Sequence, residues 1–399
     1  MIHVAEINDF RKLPAFRALW EDLWDRTPRP TFFQQLAWLE AYGQRVGREQ
    51  RLRALIVSVA GRPIGIVPLV VKLVPSRLGT IRAVTYPVDS WGAFFGPLGP
   101  HPAATLAAAM RHLAQTRRDW DLIDLRYVDA EVTDCGRTRN AMRGAGLQTY
   151  CRRWYRTPIV EFGPDWEGYW GQLDESFRRR FERAERTVAR ATRLSLERWR
   201  PGGTLSGDTD RRWELLEPCL AAAQSQAGRL ALSPQRTALL RDLHPAAVDA
   251  GWVDLSVLKA GPTVLGHAYG FHHGGVVELV HVNVAPGAPP ETVLVLVGRL
   301  VRDSFERGDQ QIIFGPLCST AGTGWGNATR YSYRYTHFAR AGACAQVLRL
   351  NHCVRRWLHL DPTVAEPVIR PRRTSGSPEG PSHRESPQTL RLPARTASP

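Results

Sequence analysis

The sequence predicts an α/β (α+β) fold of two similar units in tandem, with mixed, mostly antiparallel sheets flanked by helices. Two segments carry this reading: Leu52–Leu73 (LRALIVSVAGRPIGIVPLVVKL) and Trp252–His273 (WVDLSVLKAGPTVLGHAYGFHH). Each alternates apolar residues, reaches an Ala-Gly pair (Ala60-Gly61, Ala260-Gly261) with proline close behind, and resumes an apolar run. That is a β-hairpin pattern, with β-branched residues at period two broken by turn formers. The order of elements around the two hairpins repeats, and 399 residues are enough for two full hydrophobic cores.

In the first half, Ile2–Ile7 reads as a strand, and Phe10–Arg26 as a helix, with Phe16, Leu19, Trp20, Leu23 and Trp24 at helical spacing. A second helix spans Gln34–Val46, and the first hairpin follows. Thr80–Thr85 is a strand, Asp89–Leu98 a Gly/Pro-rich loop and Pro102–Arg117 an alanine-rich helix. Leu122–Val128 reads as a strand, Arg137–Ala145 as a helix and Gln148–Phe162 as one or two strands. The second half adds helices at Trp166–Leu173 and Glu175–Thr192, a strand at Leu194–Arg200, and helices at Trp213–Gln224 and Pro234–Ala250. Its hairpin extends into a third strand, Val276–Val284, followed by a loop (Ala285–Pro290), a helix (Glu291–Arg307), a strand (Gln311–Gly315) and closing strands toward His352. From Asp361 the composition turns to Pro, Ser, Arg and Thr without apolar periodicity, which predicts a disordered tail. The expected division is therefore 1–155, 156–360 and 361–399.

Composition narrows the function classes. No apolar run approaches the roughly 20 residues that span a bilayer, and Met1–Lys12 has no secretory pattern, so a cytoplasmic protein is expected. Six scattered cysteines without CxxC spacing argue against a zinc site or a disulfide framework. The net charge of +15 is almost all arginine, since the only lysines are Lys12, Lys72 and Lys259. Such a charge attracts phosphates, whether on a nucleotide, a cofactor or RNA. Its arginine character equally fits the codon bias of a GC-rich genome.

The hairpin, third strand, loop, helix and strand of the second half resemble the core of the GNAT N-acyltransferase fold. More specifically, the chain resembles the CelD/BcsL-type acetyltransferases, which carry two GNAT-like units and are related in architecture to FemAB-like aminoacyltransferases. The likeness spans about residues 30–350. It rests on FFQQLAWLEAYGQ (Phe32–Gln44), GRPIGIVPLVV (Gly61–Val71), DESFRRRFERAERTV (Asp174–Val188), SQAGRLALSPQRTALLRDL (Ser225–Leu243) and GWVDLSVLKAGPTVLGHAYGF (Gly251–Phe271), in that order and spacing. It implies acetyl transfer from acetyl-CoA to an amine, on a small molecule or a glycan precursor, in envelope or exopolysaccharide biosynthesis. No metal or nucleic acid is expected to take part. The alternatives are an aminoacyl-tRNA-dependent transferase of FemAB type and a degenerate, non-catalytic binding or scaffold protein.

In that fold two neighbouring strands splay apart to receive the pantetheine arm, and a loop at a helix N-terminus receives the pyrophosphate. The resemblance places the cofactor on Val282, Asn283 and Val284, with Gly287 and Ala288 giving amides and Thr292 opening the helix. The loop APGAPPE departs from the usual glycine-rich signature: Pro286, Pro289 and Pro290 have no N–H to offer, and Glu291 sits where an anion would dock.

His281 reads either as a base toward the amine or as a hydrogen-bonded structural histidine; strict alternation puts it on one face with Asn283, opposite Val280, Val282 and Val284. Tyr333 reads either as the proton donor to the leaving thiolate or as packing. Asp89 and Trp91, with Arg334, are the expected acceptor contacts; Asp89 equally suits a turn. The arginines of Glu175–Thr192 suit either a solvated helical face, with pairs such as Glu182–Arg186, or a clamp for a phosphorylated substrate.

Overall fold

The computed structural model describes residues 1–45, 50–76, 79–189, 193–225, 232–340 and 344–350, all within one compact unit. The first half runs β1 (Ile2–Ile7), α1 (Arg17–Asp25), α2 (Leu36–Arg45), β2 (Gln50–Leu52), β3 (Ala54–Val59), β4 (Arg62–Val67), β5 (Val70–Ser76) and β6 (Gly79–Thr85). It continues with α3 (Pro102–Gln115), β7 (Leu122–Val128), α4 (Arg137–Gly144) and β8 (Tyr150–Glu161). The second half runs α5 (Trp166–Gln172), α6 (Glu175–Val188), β9 (Leu194–Trp199), α7 (Trp213–Ser225), α8 (Pro234–Asp249), β10 (Val253–Ala260), β11 (Thr263–His273), β12 (Val276–Val284), α9 (Thr292–Glu306), β13 (Gln311–Phe314) and β14 (Ala328–Phe338).

Two expectations change, and two others fall partly or wholly outside the described residues. Pro14 lacks the amide an α-helix interior needs, so Phe10–Phe16 is a 3₁₀ helix and only Arg17–Asp25 is α-helical. One long closing strand, β14, stands where several were expected, and residues 344–350 are helical. The end of the expected Glu175–Thr192 helix falls partly on 190–192, and the tail on 361–399, both outside the described residues.

Both hairpins form. Ala60 (φ 49°) and Gly61 (φ 78°) make a two-residue turn with left-handed backbone at both corners, the geometry that suits strand twist. Gly261 (φ 58°) opens the second turn, and Ala260 pairs with Thr263 across it. A register shift sits just before each turn, at Val57/Ser58 and at Leu258/Lys259. Elements also correspond around them: β1 pairs β3 antiparallel as β9 pairs β10, and β6-α3-β7 matches β12-α9-β13 as a parallel crossover.

An eleven-stranded sheet, in the order β2-β5-β6-β7-β14-β8-β13-β12-β11-β10-β9, joins the halves; β1, β3 and β4 form a second, three-stranded sheet. Among the described residues ten strand pairings are antiparallel and two, β6/β7 and β12/β13, are parallel. The closing strands are exchanged. β14, from the second half, lies on β7 of the first, while β8, from the first half, lies on β13 of the second. β8 and β14 pair with each other along their lengths. The expected boundary at 155/156 therefore falls within β8.

Two main cores follow. One buries Trp20, Trp38, Phe33, Leu125 and Tyr335 with Leu216, Leu240 and Phe271, so it runs through both halves. The other packs α5, α6 and α9 on the opposite side of β10–β13, around Trp325, Leu279 and Val282. Phe181 of α6 lies where a side chain on Gly298 of α9 would be, so that glycine permits the close helix packing.

Candidate active site

β12 and β13 run parallel from Val276↔Gln311 to Leu279↔Phe314 and then separate. A β-bulge sits at the same point. Tyr269 of β11 pairs His281, but its neighbour Gly270 pairs Leu279, leaving Val280 as an extra residue. Bulges re-aim side chains, and this one alters the expected alternation. Glu278 lies opposite Phe271 and His281 opposite Tyr269, and Phe271 and Tyr269 share one face of β11. Glu278 and His281 therefore share a face despite their odd spacing. Val280 packs in the core shared by the halves, not with Val282 as alternation implied.

This face is rich in buried polar groups lacking partners. They include His281 Nε2, both side-chain heteroatoms of Asn283 and both ring nitrogens of His267, which lies opposite Asn283 with its ring centroid 5.5 Å from that of His281. Two further histidines of β11 lie elsewhere: His272 approaches Asp309 at 3.4 Å, and His273 stacks on Trp252. Among the described residues no group of His, Cys, Asp and Glu has the makings of a metal site.

Burial, helped by the nearby Arg236 guanidinium, pulls His281 down to about 4, so its imidazole is neutral at ordinary pH. Burial pushes Glu278 up to about 7, although the Ala93 N–H donates to its Oε1 at 2.9 Å. Alternation hid Glu278 from sequence reasoning, because without the bulge it would face away from His281.

The donor of that hydrogen bond comes from the first half. The loop Tyr86–Leu98 leaves β6, pairs Phe95 N–H with the Tyr127 carbonyl and Leu98 with Ile66 of β4, and touches β12 through Ala93. Trp91, fully within this loop, is buried and lies under the Arg236 guanidinium, 5.7 Å from its ring centroid. Burial lowers the Arg236 pKa, while Asp89 opposes that shift. Arg236 is thus the link between His281 and the Asp89/Trp91 loop. In the sequence it lies inside Ser225–Leu243 with nothing in its spacing to mark it, because α8 has to fold back onto the sheet before it arrives.

Beyond the bulge, Val282 packs into the α9-side core and Val284 pairs Gly266. Gly287 (φ 80°) is a corner of a turn closed by the Ala288 N–H to the Ala285 carbonyl at 3.1 Å. The geometry, with Pro286 before Gly287, is that of a type II turn. The Ala288 amide, expected to serve an anion, is thus spent inside the loop. α9 starts at Thr292 without a side-chain cap, and the Thr292 hydroxyl is buried without a partner.

Asp89 and Arg334 come together where β6 and β7 part, Arg334 reaching there from β14. A partly enclosed cleft there is lined by Lys72, Thr85, Asp89, Asp124, Arg126 and Tyr127, among others. Asp89 takes hydrogen bonds from Lys72 Nζ (2.8 Å) and the Tyr42 hydroxyl (3.1 Å). Arg334 clamps Asp124 through two nitrogens and lies 5.0 Å from the Trp154 ring centroid. Tyr333 is not part of either group. It is on β14, three strand positions from β12, roughly 14 Å across the sheet. Its hydroxyl donates to Glu131 at 2.7 Å, and burial with that carboxylate pushes it up to about 12. The structure does not bring Tyr333 to His281.

On α6, Glu175 pairs Arg179 at 2.5 Å and Glu185 pairs Arg299 of α9 at 2.8 Å, while Arg180, Arg183 and Arg186 are exposed. No helix among the described residues is long and apolar enough to cross a membrane.

Comparisons with known proteins agree with this geometry. Residues 175–332 match the family profile described as an acetyltransferase (GNAT) domain. That segment contains β12, α9, β13 and the bulge. No curated protein sequence matches the chain. Among solved structures, the chain is similar to that of FemX, at 11% identity and TM-score 0.54, over 88% of this chain and 99% of that one. At such identity the likeness is one of fold. The structure of L-PGS from Bacillus licheniformis is matched at 11% identity and TM-score 0.48, covering 87% of this chain and 98% of that one. A tandem GNAT protein from the clavulanic acid biosynthesis pathway is matched at 11% and 0.42, covering 86% and 100%.

Proposed function

We propose that the chain is an N-acyltransferase of the GNAT type that moves an acyl group, most simply acetyl, from acyl-CoA to an amine on a small molecule or glycan precursor. The observation that carries the proposal is the bulge at Val280, set where β12 leaves β13 and surrounded by buried polar groups without partners. A native interior seldom leaves such groups unsatisfied unless a ligand or water completes them.

The residues present fit an acyl-CoA. Val280–Asn283 offer a strand edge that β13 has vacated, Asn283 has two unused polar atoms, and the uncapped start of α9 carries the Thr292 hydroxyl. A helix start of this kind favours negative charge. Bound there, the donor supplies an activated thioester.

The chain's own part is to hold, to exclude water and to move a proton. Glu278 is the base that takes the ammonium proton: its pKa of about 7 suits transfer near neutrality, whereas His281 at about 4 is too weak a base for that task. Neutral His281 instead accepts a hydrogen bond through Nε2 and orients the amine. The residues closing the site against water come from both halves, Trp91 and Ala93 on one side and Arg236 on the other. This reading treats the two units as partners in one site.

The test is thiol release from acetyl-CoA by the full chain across a panel of primary amines. Amine-dependent release that falls at least a hundredfold in Glu278→Gln supports the reading. Absence of release with every amine, together with tight binding of aminoacyl-tRNA, would replace it with the FemAB-type alternative.

A further inference from the structure

The first-half cleft has a donor excess that its own structure does not use. Every oxygen of its two carboxylates accepts at least one hydrogen bond. Asp89 accepts from Lys72 on Oδ1 and from Tyr42 on Oδ2. Asp124, 1% exposed, accepts from Arg334 on both oxygens and from Arg126 Nε on Oδ2 at 2.7 Å. The cations are not engaged to the same degree. Lys72 carries three N–H donors and Arg126 five, with about a third of each side chain exposed (32% and 34%). Arg126 also lies over Trp154, with its guanidinium 4.8 Å from the ring centroid; Arg152 and Arg334 lie within 5.3 Å of the same ring. Lys72, Arg126 and Arg334 thus stand around two carboxylates, and they carry more N–H donors than those carboxylates take up.

A second, independent observation marks the same place. Asp89 (φ 44°) and Tyr127 (φ 61°) line the cleft with left-handed backbone, although neither is glycine. Such strain persists only where the surroundings enforce it, and it gathers at ligand sites.

We propose that this cleft binds the anionic group, phosphate or carboxylate, of the acyl acceptor, with Lys72 and Arg126 as its principal contacts. Guanidinium and ammonium groups with unused donors, in a cleft walled by Tyr127, make charge-assisted hydrogen bonds of the stronger kind. Calling the ligand the acceptor rests on the acyl-transfer reading; the anion site itself does not. Arg236, which feels both Asp89 and His281 and has Trp91 beside it, couples this cleft electrostatically to the site at Glu278.

The experiment is calorimetric titration of the full chain, without acyl-CoA, with phenyl phosphate and with benzoate, which present the two anions on one body. At least one should bind, and the tighter of the two identifies the acceptor's group. Lys72→Met and Arg126→Met should each weaken it at least fivefold with the circular dichroism spectrum unchanged, and Lys72→Arg should restore most of the loss. Arg179→Ala, which removes the same charge from the exposed face of α6, should leave it unaltered. Failure of both anions to bind, equal loss in Arg179→Ala, or undiminished binding in the Lys72 and Arg126 variants would each overturn the proposal. Competition between acetyl-CoA and the bound anion would also overturn it, by placing the anion in the donor site. None of these readouts depends on turnover, so a failed acyl-transfer assay leaves them interpretable.

Discussion

The two points where parallel strands part are built to the same plan and furnished in opposite ways. In the second half, β12 leaves β13 at a bulge, and the polar groups there are buried, neutral or made nearly so, and without partners. In the first half, β6 leaves β7 beside a cleft whose charged residues Lys72, Asp89 and Arg126 are each about a third exposed, the two cations keeping donors to spare, while Asp124 is buried. The difference is one of dielectric. A buried site keeps its charge low and can tune a carboxyl toward neutrality, which suits proton transfer. An accessible one keeps full charges and suits holding an ionic ligand. On the proposed reading, one half of this repeated frame does the chemistry and the other anchors the acceptor.

Cutting the comparison in two should have the largest effect. Each half's parallel pair is flanked by the other's closing strand, β14 on β7 and β8 on β13. Expressed separately as 1–163 and 164–350, the halves should be unfolded or aggregated, and co-expression should recover a soluble complex. A monomeric 164–350 fragment with native circular dichroism and full acyl transfer would remove the basis for treating the halves as one catalytic body.

The next effect concerns Glu278. Its replacement by Gln should cut acyl transfer by about 10²-fold or more, in the range expected for losing a general base. In the parent, the rate should rise with pH through about 7, and that ionisation should vanish from the variant's profile. Stability should move the other way. A carboxyl raised from 4.5 to about 7 holds its proton in the fold after the unfolded chain has lost its own. Unfolding free energy therefore falls as pH rises across that window, by about 3 kcal/mol from this group. Glu278→Gln should be more stable than the parent at pH 8 and no more stable at pH 4. Denaturant melts at the two pH values settle it; a variant less stable at pH 8 would mean that the carboxylate is not strained there.

A middle-sized effect probes the charged network under the second hairpin. Arg198 and Asp254 are almost fully buried and joined at 2.6 Å, with Arg200 and Asp309 completing the cluster. Asp254→Asn leaves guanidinium charge buried against a neutral amide and should cost roughly 3–5 kcal/mol. A change below about 1 kcal/mol in urea unfolding would show that water reaches the cluster.

Smaller, but more specific, is Thr292→Val. The hydroxyl has no partner in the ligand-free chain, so its removal should leave stability unchanged or slightly improved. If it serves the donor, acetyl-CoA affinity should drop about tenfold, worth about 1.4 kcal/mol. Equal affinity in parent and variant would take Thr292 out of the donor site.

Much of the frame was legible in the sequence, since period-two apolar runs and turn formers are local signals. The strand Val276–Val284 and the strand Leu122–Val128 occur as read. What was not legible came from pairing between distant segments. Nothing local reveals that β14 would lie on β7, because strand exchange depends on which edge is vacant after the sheet forms. The bulge at Val280 is equally invisible, and it is what turns Glu278 toward His281. The sequence pointed to His281, Asn283 and Thr292, and all three hold unpartnered buried atoms. It passed over Arg236, Lys72 and Arg126, whose meaning depends on neighbours brought from other elements.

The division of labour between the halves is tested most directly by amide hydrogen exchange on the full chain with and without saturating acetyl-CoA. The account predicts slower exchange in Val280–Val284 and at 287–294, with little change around Lys72, Asp89 and 124–127. Protection confined to the first-half cleft, or none anywhere, would contradict it.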